Sequence, residues 1–481
     1  MKIVVVFVLC LLVVYGVSSH KKVDDWDDNI TKLIKEKSYS SQQGLGGNIM
    51  PIATTAMPMP SPLIKTKKIG LSVGGAKDSD NFIQNLKMGY LPKLKSITYE
   101  GVFYDHYFDI DETTNCKTIF CPKFSYIKMP NIYDNRDEYY LSLGLISGID
   151  LSDFKRDKLN LVVVLDVSGS MGASFDRYYY DAKKVHKNHK TKMQIANETL
   201  VAMMKHLKSD DNFGIVLFDD LAYPVKTMRK IAYTDMNAIK NHILNIHAMG
   251  GTNWSAGYKE ALKYFKKVSK NGYENRIIFI TDAMPNRGEL SKDKLFGMAK
   301  DASKEGIHTT FIGVGVDFNT NLVDYVSKIK GANYYSVHSS KDFARRMDKE
   351  FEYMVTPLVY DLQLGIDSKD FKVVGIYGVP KASLDTKNII DIDTLFASDS
   401  SDDGNKGGVI LVKLKKISQG NNIDINLNYK DNHNKIYHTK QQIDLSKDKS
   451  NNGLKKAIVL SNYVTLMQNW LIDARAGCND S

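Results

Sequence analysis

The chain has 481 residues, with 65 Lys and Arg against 55 Asp and Glu, 43% hydrophobic and 10% aromatic residues, 33 Gly and 11 Pro. That is enough for several domains with sizeable cores, and it excludes a collagenous, disulfide-dense or wholly disordered protein. The formal charge of +10 is spread along the chain, which gives weak affinity for polyanions and argues against a nucleic-acid reader.

Lys2 precedes an apolar run from Ile3 to Val14, and the small residues Gly16, Ser18 and Ser19 follow. Residues 1–19 therefore read as a secretory signal peptide, too short in their apolar part for a bilayer span, and the mature protein is expected to be secreted and extracellular. Residues 20–62 mix charge with Ser, Gly and Pro and end in MPMPSP, which suits a flexible linker with one short helix at Trp26 to Lys37. Asn29-Ile30-Thr31 is a glycosylation sequon on that stretch.

Residues 63–156 read as an α+β region: Phe82, Ile83, Leu86, Met88 and Tyr90 have helical spacing, whereas ITYEGVFYDHYFDI and YYLSLGLISGIDL look strand-like. Cys116 and Cys121 flank a four-residue loop and suit a small disulfide in an oxidising compartment, since zinc would need more soft ligands than are nearby. Cys478 is left over, either free or coupled to another chain.

Over residues 157–355 the rhythm becomes strand, helix, strand. LNLVVVLDVS, FGIVLF, RIIFITD, HTTFIGVGV and NYYSV are short, β-branched, apolar runs of the kind buried on both faces of a parallel sheet, and helical patterns separate them. This predicts an α/β domain with a doubly wound, mostly parallel, Rossmann-like sheet, whose ligands bind at the carboxyl ends of the strands. Residues 356–450 read as an antiparallel β domain, and 451–481 as a C-terminal helix and tail. Ser461, Asn462, Gln468, Asn469 and Asp473 interrupt that helix, so no transmembrane segment is expected there.

The chemistry concentrates at strand ends. Asp166-Val167-Ser168-Gly169-Ser170 closes the first α/β strand, Gly250-Gly251-Thr252-Asn253 precedes a helix, and Thr281-Asp282 ends the third strand. All three fall on one edge of the predicted sheet and carry only oxygen donors, which select Mg²⁺, Ca²⁺ or Mn²⁺ over zinc or copper.

In this order and on these elements, the pieces resemble the von Willebrand factor type A domain. Its pattern Asp-x-Ser-x-Ser, distant Thr, distant Asp is matched by Asp166, Ser168, Ser170, Thr252 and Asp282. The resemblance implies a metal-ion-dependent adhesion site holding Mg²⁺ as first choice, with Ca²⁺ or Mn²⁺ as alternatives, and one coordination position open to an acidic partner group. The flanking regions look similar to those of bacterial multi-domain type A proteins labelled calcium-activated chloride channel homologues. Such flanks can pack together when the type A fold is inserted between strands of a β domain.

Two departures stand out. The segment Gly172 to Lys192 is longer than the usual connection and holds six Lys/Arg, two His and three consecutive Tyr against two Asp. Its Lys183, Lys184 and Lys187, with Asn253 across the motif, are candidate partner contacts. Ala283 stands where many relatives carry Gly, and is tolerated unless positive φ is required. The acid pairs Asp219-Asp220 and Asp402-Asp403 read as solvated turn residues. No HExxH pattern, nucleophile elbow or phosphate loop is present in context, so the chain is read as no enzyme. The expected function is adhesion to an exposed carboxylate of an extracellular protein or matrix component. The alternative is a matrix protein binding glycosaminoglycans or other anionic glycans, resembling inter-alpha-trypsin inhibitor heavy chains.

Overall fold

The computed structural model describes residues 21–32, 68–77, 79–87, 89–110, 116–131, 135–174, 190–315, 323–326, 329–337, 340–380, 382–384 and 388–477. The signal-peptide reading, the MPMPSP run, Lys183, Lys184, Lys187 and Cys478 lie outside these residues.

A seven-stranded sheet organises the α/β domain. Its spatial order is Gly75–Lys77, Asn333–Val337, Ile307–Val314, Tyr273–Thr281, Lys158–Asp166, Asn212–Phe218 and Ala222–Lys230. All neighbours are parallel except the last pair. The central strand Lys158–Asp166 is apolar on both faces because both are covered. Leu159, Leu161, Val163 and Leu165 pack with Met193, Leu200, Ile239 and Phe351 on one side, whereas Val162 and Val164 pack with Trp254, Tyr258 and Phe296 on the other. The strand order reverses between Lys158–Asp166 and Tyr273–Thr281, which opens a crevice at their carboxyl ends.

The two flanks form one β body. A six-stranded antiparallel sheet runs Ile436–Asp444, Asn422–Asp431, Pro357–Asp367, Asn388–Ser398, Lys68–Val73, Ile146–Asp150. A four-stranded sheet runs Phe371–Tyr377, Val409–Lys416, Asp137–Gly144, Lys123–Pro130. Each sheet mixes strands from before and after the α/β domain, and the two share one core, with Leu71 and Leu364 from the first sheet and Leu141 and Val412 from the second. The strands of residues 63–156 and 356–450 therefore form a single sandwich, with the α/β domain inserted between them. The physical reason is edge pairing: either set of strands alone would leave long unpaired edges, which the other set fills. ITYEGVFY, read as strand-like, instead starts a helix at Tyr99–Tyr104, because Thr98 caps it by accepting from the Gly101 N–H.

Residues 21–32, assigned to the linker, are docked on the α/β domain. Val23 bridges Thr234 and Trp26 bridges Lys226, so this segment adds backbone to the edge strand Ala222–Lys230. Trp26 stacks on His242 at 5.1 Å, and Asp25 pairs with buried Lys226 at 3.2 Å. The sequon residue Asn29 is exposed on this segment.

A buried charge cluster joins the inserted domain to the sandwich. A π-helical turn at Arg345–Lys349 carries Arg346, whose guanidinium reaches Glu350 at 2.7 Å and Asp105 at 3.1 Å and lies over the rings of Tyr104 and Tyr335. Lys406, from the C-terminal flank, donates to the same Glu350. No helix among the described residues is long and apolar enough to cross a membrane.

Candidate metal centre

Strand register brings the first two pieces of the motif together. Leu165 lies beside Ile280 in the parallel pair, so the next residues, Asp166 and Thr281, are neighbours at the lip of the crevice. The Thr281 hydroxyl donates to Asp166 Oδ2 at 2.5 Å, and the Ser168 N–H donates to Asp166 Oδ1 at 2.8 Å. From there a chain of contacts crosses the site: Ser168 Oγ lies 3.1 Å from Ser170 Oγ, Ser170 Oγ donates to Asp282 Oδ1 at 2.7 Å, and Lys192 Nζ donates to Asp282 Oδ2 at 2.9 Å.

Thr252 is positioned by backbone. Gly250 takes φ +70°, a left-handed conformation suited to glycine, and its carbonyl accepts from the Gly169 N–H at 3.0 Å. The Thr252 N–H donates to Asn286 Oδ1 at 2.9 Å, and the Thr252 carbonyl accepts from the Asn286 N–H at 3.0 Å. The motif residues Asp166, Ser168, Thr252 and Asp282 are buried, and Ser170 is half-buried. Ala283 does not adopt positive φ, so its methyl group meets no backbone strain.

Electrostatics test whether a cation fits. Burial, and then the charge of Asp282, push the Asp166 carboxyl up to about 7. Two buried carboxylates are thus opposed by one buried ammonium, which pairs with Asp282, and the remaining donors are hydroxyls. This set fits a hard divalent ion: carboxylate and hydroxyl oxygens suit Mg²⁺ or Ca²⁺, and the ion supplies the positive charge that Lys192 leaves short. The residues that would hold it are Asp166, Ser168, Ser170, Thr252 and Asp282.

Four further residues position the motif. Lys192, which reads in sequence as part of the basic insertion, is fully buried on Asp282. The signal was present: Thr191 and Gln194 make a reciprocal capping box, which starts the helix Lys192–Met203 at that lysine and separates it from the loop. Thr281 and Asn286 hold Asp166 and Thr252 as described. Asp219, read as solvated, is buried; its Oδ1 accepts from the Leu221 N–H and the Tyr223 hydroxyl, both at 2.8 Å, and its carbonyl accepts from the Asn253 N–H at 2.7 Å.

Asn253, a candidate partner contact, is spent inside its own loop. Its Oδ1 caps the helix Trp254–Phe265 by accepting from the Ala256 N–H at 3.1 Å, and its Nδ2 donates to the Asp220 carbonyl at 3.1 Å. Asn253 therefore positions this loop against the Asp220 turn. Away from the centre, Cys116 and Cys121 are joined by a disulfide with Cα atoms 6.1 Å apart.

Residues 161–285 match the model of the von Willebrand factor type A domain. Over 247 residues the chain is 25% identical to inter-alpha-trypsin inhibitor heavy chain H2 of Mus musculus, covering 48% of this chain and 24% of that one. The chain thus spans about a quarter of the length of that curated relative. A solved von Willebrand factor type A protein from Catenulispora acidiphila aligns over 72% of this chain and 79% of its own, with 14% identity and a TM-score of 0.43. Proximal thread matrix protein 1 from the mussel byssus, solved with a zinc-occupied MIDAS motif, aligns over 42% of this chain and 46% of its own, with 19% identity and a TM-score of 0.33. The chain carries a von Willebrand factor type A domain.

Proposed function

We propose that this chain is a secreted, non-enzymatic binding protein whose type A domain holds a divalent cation, Mg²⁺ in the first instance, and uses it to grip a carboxylate of an extracellular protein or matrix partner. The observation that carries the reading is the contact chain from Asp166 through Ser168 and Ser170 to Asp282, with Lys192 behind it. Its charge count explains the selectivity. Two carboxylates and one ammonium sum to −1; a divalent ion brings the site to +1; one incoming carboxylate neutralises it. Neutral hydroxyl ligands leave the ion electrophilic, so the partner's anion completes both its coordination and its charge.

The basic insertion would assist. Ser174 and Thr191 form a bridge, and the Lys192 N–H donates to the Ala173 carbonyl at 2.9 Å, a few residues along the chain from Ser170. Lys183, Lys184 and Lys187 of that segment would add long-range attraction for an acidic surface.

The test pairs calorimetry with partner capture from the native extracellular fluid. Wild-type protein is expected to take up one divalent ion per chain and to capture a partner that EDTA releases. Asp166→Ala should abolish both. Capture that survives EDTA and Asp166→Ala together, but fades as salt rises, would replace this reading with the polyanion-binding alternative.

A further inference from the structure

The helix Asn452–Ala476 closes the described chain and is apolar on two faces. One face is accounted for: Leu454, Ala457, Ile458, Val464 and Leu471 are buried against the rest of the molecule. The opposite face exposes Val459 (66%), Tyr463 (41%), Leu466 (54%) and Trp470 (41%). Their spacing of four, three and four residues is that of the a and d positions of a coiled coil, a seam that another helix fills. One further step at each end reaches Lys456 and Asp473, both exposed. The six positions span about 26 Å of helix.

We propose that this face binds a second copy of the chain, with the two helices antiparallel. The pattern is its own complement when reversed. With the two-fold axis between Val464 and Thr465, Lys456 meets Asp473 of the other copy, Val459 meets Trp470, and Tyr463 meets Leu466. Each layer pairs an a position with a d position, and a small side chain lies opposite the largest one. On one flank Asn462 faces Asn469, and on the other Leu460 faces Met467. A parallel pair would instead stack Lys456 on Lys456 and Asp473 on Asp473. A lipid surface would have no use for Asp473 at the end of the stripe. Reversal symmetry of charge and size is what an isologous contact requires. Lys456 rests on the Tyr107 carbonyl at 2.9 Å, an exposed bond that exchanges readily for a carboxylate.

Sedimentation of the full chain in reducing buffer, which removes any contribution of Cys478, tests this over the micromolar range. A concentration-dependent dimer is expected. Leu466→Lys should weaken it by about a hundredfold or more, because a central seam residue becomes charged. Lys456→Asp should weaken it about tenfold by placing two carboxylates opposite each other, and adding Asp473→Lys should restore it. All substituted side chains are exposed, so unchanged thermal melts will confirm folding. A monomer throughout the range, a dimer indifferent to Leu466→Lys, or failure of the double swap to restore would each overturn the proposal. So would a chain that stays monomeric yet floats with phosphatidylcholine–phosphatidylserine vesicles, which would assign the face to a membrane.

Discussion

Replacing Lys192 with methionine is expected to make the stability of the type A domain depend on a divalent cation. Lys192 Nζ and the Asp282 carboxylate are fully buried 2.9 Å apart, and removing one partner of such a pair costs about 3–5 kcal/mol because the other is left uncompensated. Methionine preserves volume without charge. In EDTA the variant should therefore unfold at a lower urea midpoint than the wild type, and millimolar Mg²⁺ should recover most of the loss, since the ion takes over the charge balance of Asp282. The same substitution removes a cation from beside the site, so calorimetry should show tighter ion uptake than in the wild type. Asp282→Asn provides the contrast: it loses both the ammonium partner and an ionic ligand, and added cation should not rescue it. Equal destabilisation of Lys192→Met with and without cation would mean that no cation shares Asp282 with the lysine.

Acid should loosen the joint between the type A domain and the sandwich. Burial alone would raise the Glu350 carboxyl, but the charges of Arg346 and Lys406 hold it down at about 2, against an ordinary 4.5. A carboxyl held low contributes stability that is present above its unfolded value and is lost as pH falls through its folded value. The loss should thus begin below about 4.5 and continue toward 2, and amount to roughly 3 kcal/mol. Asp105, likewise lowered, titrates in the same direction: its burial opposes the shift, and the charges of Arg346 and Lys406 together with the hydrogen bonds from Ser79 and Arg346 outweigh it. Arg346→Met should cost about 3–5 kcal/mol at neutral pH, because it leaves the buried acids in excess of Lys406. It should also flatten the acid limb, since Glu350 then returns toward its ordinary range. Urea unfolding of both proteins from neutral pH to pH 2 measures this. Parallel acid limbs would show that Arg346 does not set the Glu350 titration.

Much of the type A domain was legible because its signals are local. A run such as LNLVVVLD is apolar at every position only if both faces are covered, so burial, strand type and parallel neighbours follow from composition. Asp166, Ser168 and Ser170 lie within five residues, and strand polarity puts Thr252 and Asp282 at the same edge once the alternation of strands and helices is recognised. Helix ends were less legible: apolar spacing does not mark the cap at Lys266 that ends the helix Trp254–Phe265.

What only the tertiary structure decided were partners distant in sequence. Lys192 reads as one more lysine in a basic stretch until the turn at Asp282, ninety residues later, arrives against it. Asp219 reads as a solvated turn until Tyr223 and the loop at Asn253 close over it. The flanks read as two regions because period and propensity describe each strand but not its neighbour, and Lys68–Val73 finds Asn388–Ser398 across the whole inserted domain. Residue type and spacing fix which groups a segment offers to its surroundings. Which buried charge or strand edge is satisfied by which other segment depends on the convergence of remote turns, and that is a property of the folded chain alone.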